Sequence, residues 1–203
     1  MRVLFIIVFI WPFVAFAQKQ SAENTVRFSA NFSTYLKYDN NLGTHFLGDA
    51  TEAKFPGFGF QFDFLKYQNL KFGLGVEFMP YDVVDITMAG NIDKTDTRAY
   101  FGKFLYEIKL GESWRIAPNL GIGSSIVRQK TSTTNLDSFK GIKYYAGTNI
   151  TYKLTEVIGL FLGVNYAFAK YNVNTAEAFE SYFRNSTQMQ ILFGLSFTVP
   201  NKK

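Results

Sequence analysis

The sequence holds no cysteine and only one histidine, His45. The first absence excludes a disulfide framework, a Cys-ligated zinc centre, a thiol nucleophile and a lipid-anchoring thiol. The second leaves no His-x-Ser pair, and Ser124-Ser125 have no histidine nearby in sequence. A His-based triad is therefore not expected, and His45 reads as an exposed residue of a polar stretch. The carboxylates of the polar stretches (Asp49, Glu52, Asp85, Asp93, Asp96, Glu177, Glu180) do not follow the spacing of a calcium-binding loop. No catalytic residue, metal ion or cofactor is expected. The formal net charge of +5 comes without a run of Lys or Arg, so no nucleic-acid partner is expected either.

Long apolar runs are also missing beyond residue 16, and mean hydropathy is close to zero. A bundle of spanning helices would need several stretches of roughly 20 apolar residues. The single run stands at the start, "MRVLFIIVFIWPFVAFAQKQ". Arg2 precedes an apolar stretch from Val3 to Phe16, and Ala15-Phe16-Ala17 forms an A-x-A cleavage site. Residues 1–17 read as a secretory signal peptide, followed by a short periplasmic segment over 18–25.

What the chain has in excess is aromatic side chains, 18% of all residues with 23 Phe among them, and they follow a pattern. In "FPGFGFQFDF" every second residue from Phe58 to Phe64 is Phe, a period that belongs to a strand. The same alternation runs through "VRFSANFSTYLKY" (26–38), "LKFGLGVEFMPY" (70–81), and stretches over 98–110, 114–127, 142–154, 158–171 and 189–199. That predicts eight strands of ten or more residues, and no segment reads as an amphipathic helix. The connections at 66–69, 111–113 and 155–157 are short. Those at 39–54, 82–97, 128–141 and 172–188 are long, polar and rich in turn formers. In an up-and-down meander, all the long ones emerge at one end.

One face of these strands is apolar, and the other is polar and rich in glycine, including Gly57, Gly59, Gly73, Gly75, Gly121, Gly123, Gly147, Gly163 and Gly194. An eight-stranded barrel has an interior only wide enough for side chains to fill it. Glycine suits that crowded interior, and bulky aromatics suit the convex outside. An apolar outer wall of this extent belongs in lipid. The expected fold is all-β, an eight-stranded antiparallel up-and-down transmembrane β-barrel over residues 26–199, with a periplasmic tail over 200–203.

The lipid-facing set includes Phe58, Phe60, Phe62, Phe64, Phe72, Leu74, Phe193, Leu195 and Phe197. An aromatic girdle is expected from Tyr38, Tyr81, Tyr100 and Tyr171 at the long-loop end. Tyr67, Trp114 and Tyr152, with Phe197, would serve the turn end. The lumen would hold Arg27, Asp63, Lys71, Glu77, Lys103, Glu107, Lys109 and Arg115 as an ion-pair network, with Lys143 and Lys153 beside them. Folding the chain back on itself puts Asp63 near Lys71 and Glu77 near Lys103.

The eight alternating segments, the Ala15-Phe16-Ala17 ending and the last strand "MQILFGLSFTV" together resemble the OmpA/OmpX-type eight-stranded outer-membrane barrels of Gram-negative bacteria. The resemblance covers residues 23–199. It implies location in the outer membrane, contact with membrane lipids and lipopolysaccharide, and insertion by the barrel-assembly machinery. In that family the last strand ends at a terminal aromatic; here Phe197 is followed by six further residues. Some barrels of this size modify lipid A, but they need histidines that this chain lacks. The leading expectation is a plugged barrel that acts in adhesion, partner binding or envelope integrity through four long extracellular loops. The alternatives are a narrow ion or small-solute channel, a soluble lipocalin-like carrier of lipophilic ligands, and an accessory barrel of a secretion machine.

Overall fold

A computed structural model of the chain describes residues 25–85, 92–131 and 135–199. The expected signal peptide, almost all of the segment 18–25 and the tail 200–203 lie outside the described residues. Strands β1 (Val26–Leu42), β3 (Gly57–Tyr67), β4 (Leu70–Val83), β5 (Lys94–Tyr106), β7 (Trp114–Lys130), β8 (Asn135–Lys153), β9 (Ile158–Asn172) and β10 (Asn185–Thr198) are long. Two short strands join them. β2 (Thr51–Ala53) pairs with the loop end of β4, and β6 (Ile108–Leu110) continues β5 beyond Glu107.

Each long strand pairs antiparallel with the next around a ring. The ring closes where β1 meets β10, from Asn31↔Thr198 to Leu42↔Thr187. Alternation dictates which way each residue faces. Along β9 exposed and buried residues alternate without a break from Ile158 to Asn172. The fold is the expected closed eight-stranded barrel, with the glycine-rich face inside.

Two inward aromatics explain two of the inward glycines. A β-carbon on Gly59 would overlap the ring of Tyr35, and one on Gly75 would overlap the ring of Phe101. The ring occupies the space that the missing side chain leaves, which is how so narrow a lumen holds Tyr and Phe. Gly102 faces outward instead. There the Phe72 ring covers it, 3.4 Å from where a β-carbon would stand.

Strand bounds differ from the sequence expectation in places. Chain pairing shifts between Asp63 and Leu65, so Phe64 is an extra residue on β3. After it the phase changes: Leu65 and Tyr67 face out and Lys66 turns toward the lumen. β3 reaches Tyr67, and the turn to β4 is only Gln68-Asn69, with Gln68 at φ 52°. At the other end β7 and β8 run on to Lys130 and from Asn135, so the loop expected over 128–141 is mostly a strand ladder.

Two helices stand in the long loops where none was expected. α1 (Phe46–Asp49) is a single turn, and α2 (Glu177–Arg184) has eight residues. Arg184 and Glu180 pair one turn apart on α2. A helix this short spans barely two periods, so its pattern does not stand out from polar loop sequence.

Candidate functional site

The long-loop half of the lumen is organised by β1. Lys37, 1% exposed, bridges Asp39 at 3.2 Å and Glu77 at 3.0 Å. The Tyr35 hydroxyl donates to the other Glu77 oxygen at 3.1 Å. Asp39 also accepts from the Tyr81 hydroxyl at 3.0 Å and from Gln190 at 3.1 Å. Gln188 continues the web, donating to the Tyr81 oxygen at 2.8 Å and accepting from Lys143 at 2.7 Å.

Around mid-barrel, apolar contacts cross the lumen. Tyr35, Phe161 and Leu192 form one cluster and Phe101, Tyr145 and Ala167 another. Lys103 places its ammonium over the rings of Phe101 and Tyr145, 4.5 and 4.8 Å from their centroids. Its Nζ and both polar side-chain atoms of Asn165 are buried without a protein hydrogen-bond partner among the described residues.

The turn-end half gathers on Glu107. This carboxylate, at the break between β5 and β6, holds Lys66 at 2.9 Å, Lys71 at 2.5 Å and Arg115 at 3.1 Å. Asp63 accepts from Gln61 at 2.7 Å and Asn31 at 3.2 Å. A cavity of about 50 Å³ opens here, lined by Asn31, Asp63, Lys71, Glu107, Arg115 and Asn149 among others.

The opposite mouth is covered by loops. Phe46 and Leu47 of α1 pack with Ala50, Val127, Ala169 and Tyr171, and Tyr182 and Phe183 of α2 lie against them. The Phe46 and Phe183 rings are 5.2 Å apart. His45 ties this cover down. Its Nδ1 accepts from the Gly48 amide at 3.2 Å. Its Nε2 lies 3.2 Å from the Thr187 carbonyl and 3.4 Å from the Thr187 amide. Burial pushes the His45 pKa below its ordinary value.

Outside, an apolar band surrounds the barrel. Phe58, Phe60, Phe62, Leu74, Phe193 and Leu195 are exposed on it, and Phe64, Phe72 and Phe197 lie half-buried among neighbours. Among the described residues no helix is long and apolar enough to cross a membrane, and no group of three or more His, Asp and Glu could hold a metal.

Several solved structures similar to this one are of outer-membrane proteins. Neisserial surface protein A matches with a TM-score of 0.58 at 14% identity, over 89% of this chain and 100% of that one. A major outer membrane protein from Thermus thermophilus matches at 0.56 and 14% identity, over 84% and 99%. The attachment invasion locus protein of Yersinia pestis matches at 0.51 and 9% identity, over 85% and 99%. The fold is that of the OmpA/OmpX-like outer-membrane barrels. No protein-family model matches the sequence, and no curated protein does. Fold and apolar band together place the protein in an outer membrane.

With the barrel oriented so, several expected residues change place. Tyr81 and Tyr171 are not girdle residues; they are 1% and 3% exposed and point into the lumen. Both fall on the inward phase of their strands, where Tyr81 meets Asp39 and Tyr171 meets Ser125 at 3.1 Å. Tyr38, Tyr67, Tyr100, Trp114 and Tyr152 do stand exposed on the outside. Arg27 and Lys109 are exposed near the turn end rather than enclosed in the lumen. The two expected carboxylate–lysine pairs give way to other partners. Asp63 lies opposite Gly73, so Lys71 reaches Glu107 instead. Glu77 lies opposite Gly59 and Ala99, which leaves it to Lys37 while Lys103 rests on aromatic rings. Lys37 and Tyr35 already stood on the polar face of the first segment. Asp39, Lys66, Gln188 and Gln190 lay in stretches read as connections or near their ends.

Removing Lys37 leaves two buried carboxylates without their shared cation. Lys37→Met is expected to cost about 3–5 kcal/mol. Asp63→Asn keeps an oxygen to accept from Asn31 and, once the Gln61 amide turns over, a donor for the Gln61 oxygen, and should cost under about 1 kcal/mol. Urea unfolding of the refolded barrel in lipid vesicles, followed by tryptophan fluorescence, measures both. A second expectation concerns pH. Protonated His45 cannot accept from Gly48, and its folded pKa is depressed, so the cover's stability is present above about pH 6.5 and lost as pH falls. Hydrogen–deuterium exchange over residues 43–54, corrected for intrinsic rate, should rise between about pH 7.5 and pH 5 in the wild type but not in His45→Asn.

Proposed function

We propose that this protein is a plugged outer-membrane barrel that presents a rigid extracellular surface for adhesion or partner binding, and that it is not an enzyme. One observation carries the reading: the lumen is crossed by bonded side chains at both ends and by aromatic clusters between them, beneath a loop cover. Eight strands leave little room beyond such a filling. The cover then serves as a platform. α2 turns Phe46-facing residues down and leaves Phe179 exposed above the barrel mouth. An exposed aromatic on a supported helix is a suitable contact for another macromolecule.

A narrow channel is the second reading. The turn-end cavity favours it, because it opens a polar space part-way into the barrel, and the Lys103 ammonium and Asn165 amide are buried without a protein hydrogen-bond partner among the described residues. Planar-bilayer recording separates the two. The plugged barrel should give no unitary conductance, even after Phe46→Ala and Phe183→Ala loosen the cover; steps in the wild type would support the channel. The loop surface has its own test. Cells displaying the protein should adhere to surfaces more than cells without it. Replacing residues 177–184 by a Gly/Ser linker should return adherence to background while the heat-modifiable barrel remains on gels.

A further inference from the structure

The outer wall is not the same all round at its loop end. On β5, β7, β8 and β9 the outward positions just above the apolar band carry Lys94, Arg98, Arg128, Lys130, Lys140 and Lys170. Strand register draws them into one patch. Lys94 stands directly opposite Lys130, and Asp96 opposite Arg128. Ile126 is opposite Arg98 on one side and Lys140 on the other, so Arg128 is diagonal to both. Lys140 and Lys170 are diagonal in turn, through Asn172 and Ile142. Direct neighbours across strands have β-carbons about 5 Å apart and diagonal ones about 7–8 Å. Among the described outward positions of these four strand ends, Asp96 is the one carboxylate, and it pairs with Arg98 at 3.5 Å.

Like charges directly opposite destabilise a strand pair. Lys94 and Lys130 therefore gain from an anion bound between them. The patch also sits where lipid headgroups would be. Arg98 has its guanidinium 5.6 Å from the Phe78 ring centroid, at the upper edge of the aromatic band. Tyr100, Ile142, Tyr144 and Phe168 stand exposed directly below the cations. On β1 and β10 the corresponding positions are Asn40, Asn185 and Thr187, none of them charged. On β4, next to β5, they are Pro80 and Asp82, and Asp82, directly opposite Lys94, is paired with Lys54 at 3.1 Å.

We propose that the β5–β9 face binds the phosphorylated headgroup of an outer-leaflet glycolipid, lipid A, whose acyl chains lie along the apolar rows beneath. The long loops mark the outer side of the membrane, and in that leaflet lipid A carries the phosphates. Arg98 and Arg128 offer forked donors to phosphate oxygens, and the lysines supply point charges around them.

The purified barrel in detergent can be titrated with bisphosphorylated lipid A, with its dephosphorylated counterpart and with phosphatidylglycerol, and bound lipid counted by native mass spectrometry. The wild type should retain bisphosphorylated lipid A over both others. Each cation near a charged headgroup contributes about fivefold, so Lys94→Gln/Arg128→Gln/Lys140→Gln should weaken retention by about tenfold or more. Lys109→Gln, at the opposite, turn end of the barrel, should not. Equal retention of the dephosphorylated lipid would overturn the phosphate assignment, and equal retention of phosphatidylglycerol the glycolipid. An unchanged triple variant, or an equal loss in Lys109→Gln, would overturn the placement. Should the triple variant not give a heat-modifiable band, the Arg128→Gln and Lys140→Gln single variants carry the same comparison. The wild-type lipid preference stands independently of every variant.

Discussion

Hydrocarbon offers no partner to a backbone amide or carbonyl, and each one left unpaired there costs several kcal/mol. A sheet in lipid must therefore close on itself. Here closure falls to the pairing of β1 with β10, which joins strands at the two ends of the described chain. Much else follows from that one seam. It fixes the strand count at eight, and the count fixes a lumen that side chains must fill. A lumen this narrow has no space for Tyr35 or Phe101 unless a neighbouring strand gives way, and Gly59 and Gly75 give way.

The same narrow lumen governs its electrostatics. A charge enclosed by protein and ringed by lipid needs a partner close at hand. Two carboxylate-centred nodes meet this need at opposite ends. Asp39 and Glu77 share Lys37, whereas Glu107 is shared by Lys66, Lys71 and Arg115. Between them Lys103 takes aromatic faces in place of an anion. The ties cross-link β1 to β4 and β3, β4 and β7 to the end of β5. They therefore act on the barrel's cross-section as well as on its filling.

The barrel itself was legible because lipid and lumen impose opposite demands on successive residues, so "FGFQFDF" states its own orientation. The same rule, applied strictly, also places Tyr81 and Tyr171 inside; reading them as girdle residues followed their position near strand ends and overlooked their phase. Partner choice was less legible. Which lysine meets which carboxylate depends on register, and a single extra residue at Phe64 turns Lys66 toward Glu107. The cover was not legible at all. Phe46, Leu47, Tyr182 and Phe183 come from polar loops distant in sequence, and no period links them. The one sequence signal was their apolar character in segments otherwise made of turn formers.

Charge and aromatics divide the outside of the barrel into two unlike walls. Around β1, β3, β4 and β5 the rings of Phe28, Phe62, Phe64, Phe72 and Phe104 form a chain, each 5.0 to 6.5 Å from the next. Past β5 the band becomes largely aliphatic, and the cations stand at its upper edge. Inside, the described cations mostly meet carboxylates or rings; on this outer edge six cations gather against Asp96 on β5 and Asp82 beside it on β4. A barrel uniform around its axis would have no preferred side toward its surroundings. This one has a side for anionic headgroups and a side for stacked aromatics. The proposed lipid site would thus fix which wall is occupied by glycolipid and which is left open to other neighbours. That orientation within the membrane plane also sets the direction in which α2 and its exposed Phe179 are presented.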